Sequence, residues 1–396
     1  MLNLRKLMAR LPRHQNRWEH LVGSLSRATA QDSPTAGTHL NEVTAFGTNP
    51  GNLRMFRYLP SDLAADPALV VVLHGCTQTA AGYDLGAGWS TLADRYGFAL
   101  LLPEQQRSNN PNGCFNWFQP GDIERGSGEA LSIRQMIEKT ITDTGVDRRR
   151  VFVTGLSAGG AMTSVMLACY PEVFAGGAII AGLPYGAATN VQQAFQSMYQ
   201  CPARSAREWG DLVRGAASHK GAWPHISIWH GSADKTVVPD NAREILKQWT
   251  DVHGLALTPA AQDMVDGYPR QAWVNAAGEE VIESYAVTHM AHGTPLATGA
   301  ADGECGAAGP FLLEVGISSS YHIAKFFGLA HPRDVASVQA AARDRHIDLY
   351  ASVNPTSRRN ANGKEFGAAP KQADAPRTDI GAIITKALTA AGLMKG

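Results

Sequence analysis

A serine lies at the centre of the glycine-flanked pentapeptide 155–159, which reads GLSAG. The pattern G-x-S-x-G places a serine at a sharp turn between a strand and a helix, where its hydroxyl is exposed for nucleophilic attack. The apolar segment 151–153 before the turn predicts a strand, and 158–170 after it predicts a helix. The glycines leave room for close backbone contacts. We therefore predict Ser157 as a nucleophile; the alternative is an ordinary glycine-rich turn.

A nucleophilic serine needs a carboxylate that orients its partner histidine. Asp234 follows the apolar segment 226–229 within the run HGSAD, just beyond the end of a predicted strand. That is the expected place for an acid that stays ionised and accepts an imidazole N–H. Asp240 is the alternative, although its position after Pro239 suggests the N-cap of a helix. We predict Asp234 as the acid.

The general base is expected in a loop late in the chain. His292 follows the extended segment 281–287, and Gly293 and Pro295 after it favour a turn. His289 is the alternative, but it lies closer to the strand end. The chain order serine, aspartate, histidine agrees with that of hydrolases that use this serine turn. We predict His292 as the base.

The oxyanion of an acyl-transfer intermediate needs two backbone N–H donors. One comes from the residue after the nucleophile, here Ala158, and the other from the turn after an earlier strand. That turn reads His74-Gly75-Cys76 and follows the apolar run 69–73. We assign the second donor to Cys76 and a structural role to His74.

A long polar loop, 104–128, carries three aromatic residues near the expected site, namely Phe115, Trp117 and Phe118. They could bind an apolar acyl chain, or they could pack the loop. Cys114 in the same loop could form a disulfide with Cys76 or remain a free thiol. The sequence leaves both questions open.

The elements that must position these residues alternate between strands and helices, which is typical of a doubly wound, mostly parallel α/β sheet. Continuous apolar runs predict strands that are buried on both faces. The predicted strands are 69–73, 98–102, 151–153, 178–180 and 226–229, and the predicted helices are 87–96, 129–145 and 158–170. With the serine turn, this pattern predicts the α/β-hydrolase fold.

We expect three parts along the 396 residues. Residues 1–40 are predicted to be an N-terminal helix and linker, 41–335 the catalytic domain, and 336–396 a partly flexible C-terminal extension with a terminal helix. The first eighteen residues are basic, which is more typical of a solvated helix face than of a membrane-binding helix.

The charge and apolar patterns exclude several classes of protein. Lysine plus arginine and aspartate plus glutamate are balanced at 35 each, so nothing attracts nucleic acid at long range. No apolar run is long enough for a transmembrane span. We expect an ester substrate as the partner, with no cofactor, metal or nucleic acid.

The runs LHGCTQ (73–78), CFNWF (114–118), GLSAGGAM (155–162) and HGSAD (230–234) resemble those of the polyhydroxybutyrate (PHB) depolymerase family of esterases. The similarity covers roughly residues 50–330. It implies a Ser-Asp-His triad that hydrolyses short-chain hydroxyalkanoate esters through an acyl-enzyme. The family's histidine motif is commonly G-x-G-H-x-W, whereas this chain reads MAHGT at 290–294.

The resemblance implies an extracellular enzyme, whereas the N-terminus lacks the apolar stretch of a signal peptide, which leaves a cytoplasmic location open. Two other functions remain open as well. One is a feruloyl or acetylxylan esterase, and the other is a non-catalytic binding protein of the same fold, against which the intact triad argues.

Overall fold

A computed structural model describes residues 39–64 and 66–331. The predicted N-terminal helix and the predicted extension from residue 336 lie outside the described residues. Within the described ranges, every helix is too short or too polar to cross a lipid bilayer.

The centre of the protein is a ten-stranded sheet with the order β1-β2-β4-β3-β5-β6-β7-β10-β9-β8. The strands are β1 (Asn41–Val43), β2 (Arg54–Tyr58), β3 (Leu69–Leu73), β4 (Ala99–Glu104), β5 (Val151–Leu156), β6 (Gly176–Ile180), β7 (His225–Gly231), β8 (Ala261–Val265), β9 (Tyr268–Val274) and β10 (Glu280–Val287). The six central strands, β4-β3-β5-β6-β7-β10, are parallel to one another. The outer pairs, β1 with β2, β2 with β4, β10 with β9 and β9 with β8, are antiparallel. β11 (Thr294–Leu296) and β12 (Leu312–Glu314) form a separate parallel pair.

Helices cover both faces of this sheet. They are α1 (Ala80–Ala87), α2 (Trp89–Tyr96), α3 (Pro120–Ile123), α4 (Gly128–Thr144), α5 (Ala158–Cys169), α6 (Val191–Tyr199), α7 (Ala206–Ala216), α8 (Asp240–Val252) and α9 (Ser319–Phe326). The first apolar core joins one sheet face to α4, α5, α7 and α8, and the second joins the other face to α1, α2 and α9. The predicted α/β-hydrolase fold class is confirmed by this arrangement and by the structural comparison below.

The central strands form where the sequence has continuous apolar runs. Every residue of β3 and of β5 is buried, because helices cover both faces of the sheet. β4 extends past residue 102, where the predicted strand ends, through Pro103 to Glu104. Its pairing with β3 ends at Leu101, so Pro103 lies beyond the last paired residue on that side, where a missing N–H is tolerated.

The helix predicted at 87–96 corresponds to α2, which begins at Trp89 because Gly88 separates it from α1, a helix that the sequence did not predict. Gly88 has φ of 78°, and a Cβ there would lie 2.6 Å from the backbone N of Gly306. Only glycine fits this left-handed, crowded position.

The segment between β6 and β7 is part of the main core. Trp209 of α7 is fully buried and donates its indole N–H to Glu244 of α8 at 2.6 Å. Gln248 of α8 bridges the carbonyls of Tyr185 and Trp209. The segment therefore supports the sheet beside β7, the strand that precedes the predicted acid.

Candidate active site

The nucleophile turn has the geometry that its sequence predicts. β5 ends at Leu156 and α5 begins at Ala158, so Ser157 alone makes the turn, with φ of 58° and ψ of −115°. A non-glycine residue with positive φ is strained, and such strain is concentrated at functional sites. The backbone N–H of Ser157 donates to the carbonyl of Ile180 at 2.9 Å and so fixes the turn to β6.

Two glycines let this turn approach the end of β3. A Cβ at Gly155 would lie 2.5 Å from the carbonyl carbon of Gly159, and one at Gly159 would lie 2.2 Å from the carbonyl oxygen of Leu73. Neither position has room for a side chain. The serine turn is therefore held directly beside the loop that follows β3, where the oxyanion donor Cys76 is predicted.

A buried carboxylate–imidazole pair lies at the same edge of the sheet. His292 Nδ1 is 2.7 Å from Asp234 Oδ2, and the Asp234 side chain is fully buried. The other oxygen, Oδ1, accepts the backbone N–H groups of Thr236 and Val237 at 2.8 and 2.9 Å. His230 Nε2 lies 3.4 Å from Oδ2.

These contacts keep the acid ionised. Burial raises the pKa of Asp234, but the hydrogen bonds from His230 and His292 outweigh burial and hold the pKa well below its usual range. An ionised Asp234 accepts a hydrogen bond from the Nδ1–H of His292. The imidazole proton is thereby held on Nδ1, so Nε2 is unprotonated and able to accept a proton.

Two adjacent strands bring Asp234 and His292 together. β7 and β10 are parallel neighbours, and their last paired residues are Gly231 and Val287. The backbone N–H of Ala233 donates to the carbonyl of Met290 at 3.0 Å. A Cβ at Gly231 would lie 2.3 Å from the same oxygen, so glycine is required there. The loops after the two strands are therefore locked together.

The alternatives for acid and base lie elsewhere. Asp240 is the first residue of α8 and follows the N-cap residue Pro239, and its side chain is 69% exposed. His289 is exposed and has φ of 61°, and its backbone N–H donates to Ser232 Oγ. Among the described residues, the hydrogen bonds of His292 do not include one to the Ser157 hydroxyl. Contacts of this kind are often longer before substrate binds.

The predicted oxyanion donors have no competing partner. In residues 39–64 and 66–331, the backbone N–H groups of Cys76 and Ala158 make no hydrogen bond to another protein group. Ala158 is the first residue of α5, and the N–H groups in the first turn of a helix have no partner within the helix.

Cys76 and Cys114 form a disulfide, which links the loop after β3 to the loop after β4.

His74 has a structural role. The backbone N–H of Gln105 donates to His74 Nε2 at 3.1 Å, so Nδ1 carries the proton and donates to the carbonyl of Gly75 at 2.8 Å. Burial lowers the pKa of His74, which favours the neutral ring. Both ring nitrogens hold the loop that carries Cys76.

The three aromatic residues of the loop after β4 point into the core. Phe115 is 0% exposed and packs against the His74 ring with centroids 5.0 Å apart. Trp117 and Phe118 are 7% and 8% exposed and contact each other edge to face. This burial favours packing of the loop over substrate binding, the two roles that the sequence left open for Phe115, Trp117 and Phe118.

The sequence model of the family described as Esterase PHB depolymerase matches residues 53–267, which include the serine turn and Asp234. This chain belongs to that family. The esterase is 50% identical over 291 residues to "Poly(3-hydroxyalkanoate) depolymerase C" of Paucimonas lemoignei, which covers 73% of this chain and 70% of the relative. It is 38% identical over 241 residues to "Feruloyl esterase B" of Neurospora crassa, which covers 59% of this chain and 80% of the relative.

A solved structure with the same fold is "Acetyl xylan esterase from Aspergillus awamori". The two structures align with a TM-score of 0.62 and 28% identity over 73% of this chain and 99% of the other. The resemblance stated from the sequence motifs is confirmed, and the protein is a carboxylic ester hydrolase.

The esterase also contains a buried carboxylate that sequence reasoning missed. Glu129, at the start of α4, is 1% exposed and accepts the backbone and side-chain N–H groups of Asn116, both at 2.8 Å. It also accepts the side-chain amide of Gln105. Burial and the charge of Asp122 raise the pKa of Glu129 to about 8. Glu129 thereby joins the Cys114 loop to the residue that holds His74.

Proposed function

We propose that this esterase hydrolyses short-chain hydroxyalkanoate esters with Ser157 as nucleophile, His292 as general base and Asp234 as the acid that orients it. The observation that carries the proposal is the buried 2.7 Å pair of His292 and Asp234 on the loops at the sheet edge where the strained Ser157 turn emerges. The strain keeps the hydroxyl at the surface of the turn, and the pair supplies a proton acceptor.

The proposed reaction has two halves. Ser157 Oγ attacks the ester carbonyl carbon while its proton moves to Nε2 of His292. The bond from that carbon to the alcohol oxygen then breaks, and Nε2 returns the proton to the leaving oxygen. Water repeats the sequence on the acyl-enzyme and releases the acid. Asp234 accepts the hydrogen bond from the Nδ1–H of His292 throughout and stabilises the charged imidazole.

The negative charge of each tetrahedral intermediate is assigned to the backbone N–H groups of Cys76 and Ala158. Both lack a protein partner in the described residues, and the second begins α5, whose N-terminus favours negative charge. His74, Gln105 and Glu129 hold the Cys76 loop in a fixed position. Donors that are fixed before the reaction need no reorganisation as the charge develops.

Hydroxyalkanoate esters are the first candidate substrates because the relative with 50% identity is named for poly(3-hydroxyalkanoate). Feruloyl and acetylxylan esters are second, because relatives with these names share 38% and 35% identity. Purified enzyme should be assayed on 3-hydroxybutyrate oligomers, methyl ferulate, acetylated xylan and p-nitrophenyl butyrate. A kcat/KM on the oligomers above those on ferulate and xylan supports the proposal; a preference for ferulate or xylan would overturn the assignment of the acyl group.

We also propose that the enzyme acts in an oxidising, extracellular setting. The Cys76–Cys114 disulfide supports this, because disulfides persist outside the reducing cytosol. Fractionation of the native source should recover the active enzyme outside the cells, with an intact 76–114 cross-link in unreduced peptides. Enzyme that is confined to the cytosol with both thiols free would contradict the proposal.

A further inference from the structure

Phe311 occupies a backbone position that normally requires glycine or asparagine. The segment 309–312 is a tight turn in which the N–H of Leu312 donates to the carbonyl of Gly309 at 3.0 Å. Pro310 is its second residue and Phe311 its third, with φ of 62°. A turn with proline second and positive φ third is the type II turn, which favours glycine or asparagine at the third position. A bulky aromatic residue there is strained.

The phenyl ring of this strained residue contacts His292. The two ring centroids are 5.9 Å apart at an interplanar angle of 77°, an edge-to-face contact. Phe311 as a whole is half-buried. His292 therefore has Asp234 at Nδ1 and an aromatic wall against its ring.

The backbone of Phe311 is fixed to the histidine loop as well. The N–H of Thr294 donates to the Phe311 carbonyl at 2.8 Å, and a Cβ at Gly293 would lie 2.8 Å from the same oxygen. Glycine after His292 is thus what allows the histidine loop to pass so close to Phe311. On the other side, Thr294 Oγ1 lies 3.1 Å from the buried hydroxyl of Tyr83 in α1.

We propose that Phe311 is a positioning residue for His292 and the apolar wall beside which the alcohol half of the ester packs. The alcohol oxygen must reach His292 to take its proton, so substituents on that oxygen come close to whatever lies against the imidazole ring. The acyl half is held at Ser157 and the oxyanion donors instead. This inference rests on the proposed triad. It predicts that the turn at 309–312 determines which alcohol groups of the ester the enzyme prefers.

The test is kcat, KM and the pH profile of Phe311→Gly and Phe311→Asn, with Phe311→Tyr as the matched control. Glycine and asparagine both suit the positive φ, so these variants are expected to fold with a Tm at or above that of wild type. One substrate series varies the alcohol of a butyrate ester from methyl to benzyl, and the other varies the acyl chain of a p-nitrophenyl ester.

We expect Phe311→Gly to lose about 10-fold to 100-fold in kcat, because small displacements of a catalytic group cost that much. The acidic limb of its pH profile should shift, and its preference for benzyl over methyl esters should disappear while its acyl preference stays. Phe311→Tyr should retain wild-type values. A folded Phe311→Gly or Phe311→Asn with unchanged kcat, pH profile and alcohol preference would overturn the inference, as would a change in acyl preference alone.

His292→Ala, assayed in parallel, separates this inference from the proposed function. Near-normal activity in that variant rejects the triad itself. An inactive His292→Ala beside a Phe311→Gly that behaves as wild type rejects only the role of Phe311.

Discussion

Asp234→Asn changes the charge of the acid while it preserves the shape of the side chain. The asparagine oxygen must remain at the position of Oδ1, because the N–H groups of Thr236 and Val237 point at it from 2.8 and 2.9 Å. A flipped amide would place its own N–H groups against those two donors. The amide nitrogen therefore takes the place of Oδ2 and directs an N–H at Nδ1 of His292. In the wild-type enzyme, Nδ1 is itself the donor to Oδ2, at 2.7 Å.

The imidazole then has to accept at Nδ1 and carry its proton on Nε2. A ring in that tautomer has no lone pair for the serine proton, so the variant lacks its base although every heavy atom is in place. Substitution of this kind in serine hydrolases lowers kcat by about 10⁴. The corresponding loss of transition-state stabilisation is about 5 kcal/mol, since each tenfold in rate is ~1.4 kcal/mol.

The assay is kcat/KM on p-nitrophenyl butyrate for Asp234→Asn and for Asp240→Asn, with thermal melts to check both folds. The Asp240 side chain is 69% exposed and, in the part of the chain that the structure describes, its ion pair is with Arg243 at 3.4 Å, so its substitution should change the rate by about twofold or less. A folded Asp234→Asn that keeps more than about a tenth of wild-type activity would show that Asp234 does not set the tautomer of the base, because the expected residual activity is only about 10⁻⁴.

Three further predictions follow from the same contacts. His292→Ala should lower kcat/KM by about 10³ or more, whereas His289→Ala should stay near wild type; the reverse result would mean that the loop has been assigned the wrong base. Cys76→Ala should keep most of the activity, because alanine retains the N–H donor, but it should lower the Tm by roughly 5–10 °C since it removes the disulfide with Cys114. Glu129 has its pKa raised from 4.5 to about 8, so its contribution to stability is complete below pH 4.5 and is lost as the pH rises toward 8. The Tm of Glu129→Gln relative to wild type should therefore improve between pH 5 and pH 9, and a difference independent of pH would contradict the burial argument.

The central strands could be predicted because parallel strands that are buried on both faces appear as continuous apolar runs. β3 and β5 are of this kind. β8 and β9 could not be predicted in this way. The residues of β8 are exposed or half-buried, and its sequence, AQDMV, has no alternation of apolar and polar residues. These two strands form because β9 pairs with β10 in the assembled sheet, which no local pattern encodes.

The Ser157 turn and the loops with Asp234 and His292 could be predicted because each follows directly from a strand end and a short motif. Glu129 and Phe311 could not. Glu129 is one acidic residue in the first turn of a helix, and only the fold brings Asn116 and Gln105 to its carboxylate. Phe311 reaches His292 through a turn whose positive φ its sequence, GPFL, argues against.

Covalent labelling tests whether Ser157 is the residue that attacks the substrate. A fluorophosphonate reacts with a serine only where a base activates the hydroxyl. Wild-type enzyme should gain one adduct per chain, which peptide mass spectrometry places on Ser157. Folded Ser157→Ala should gain none and should lack ester hydrolysis. An adduct on a different serine, or hydrolysis at the wild-type rate by Ser157→Ala, would contradict the account.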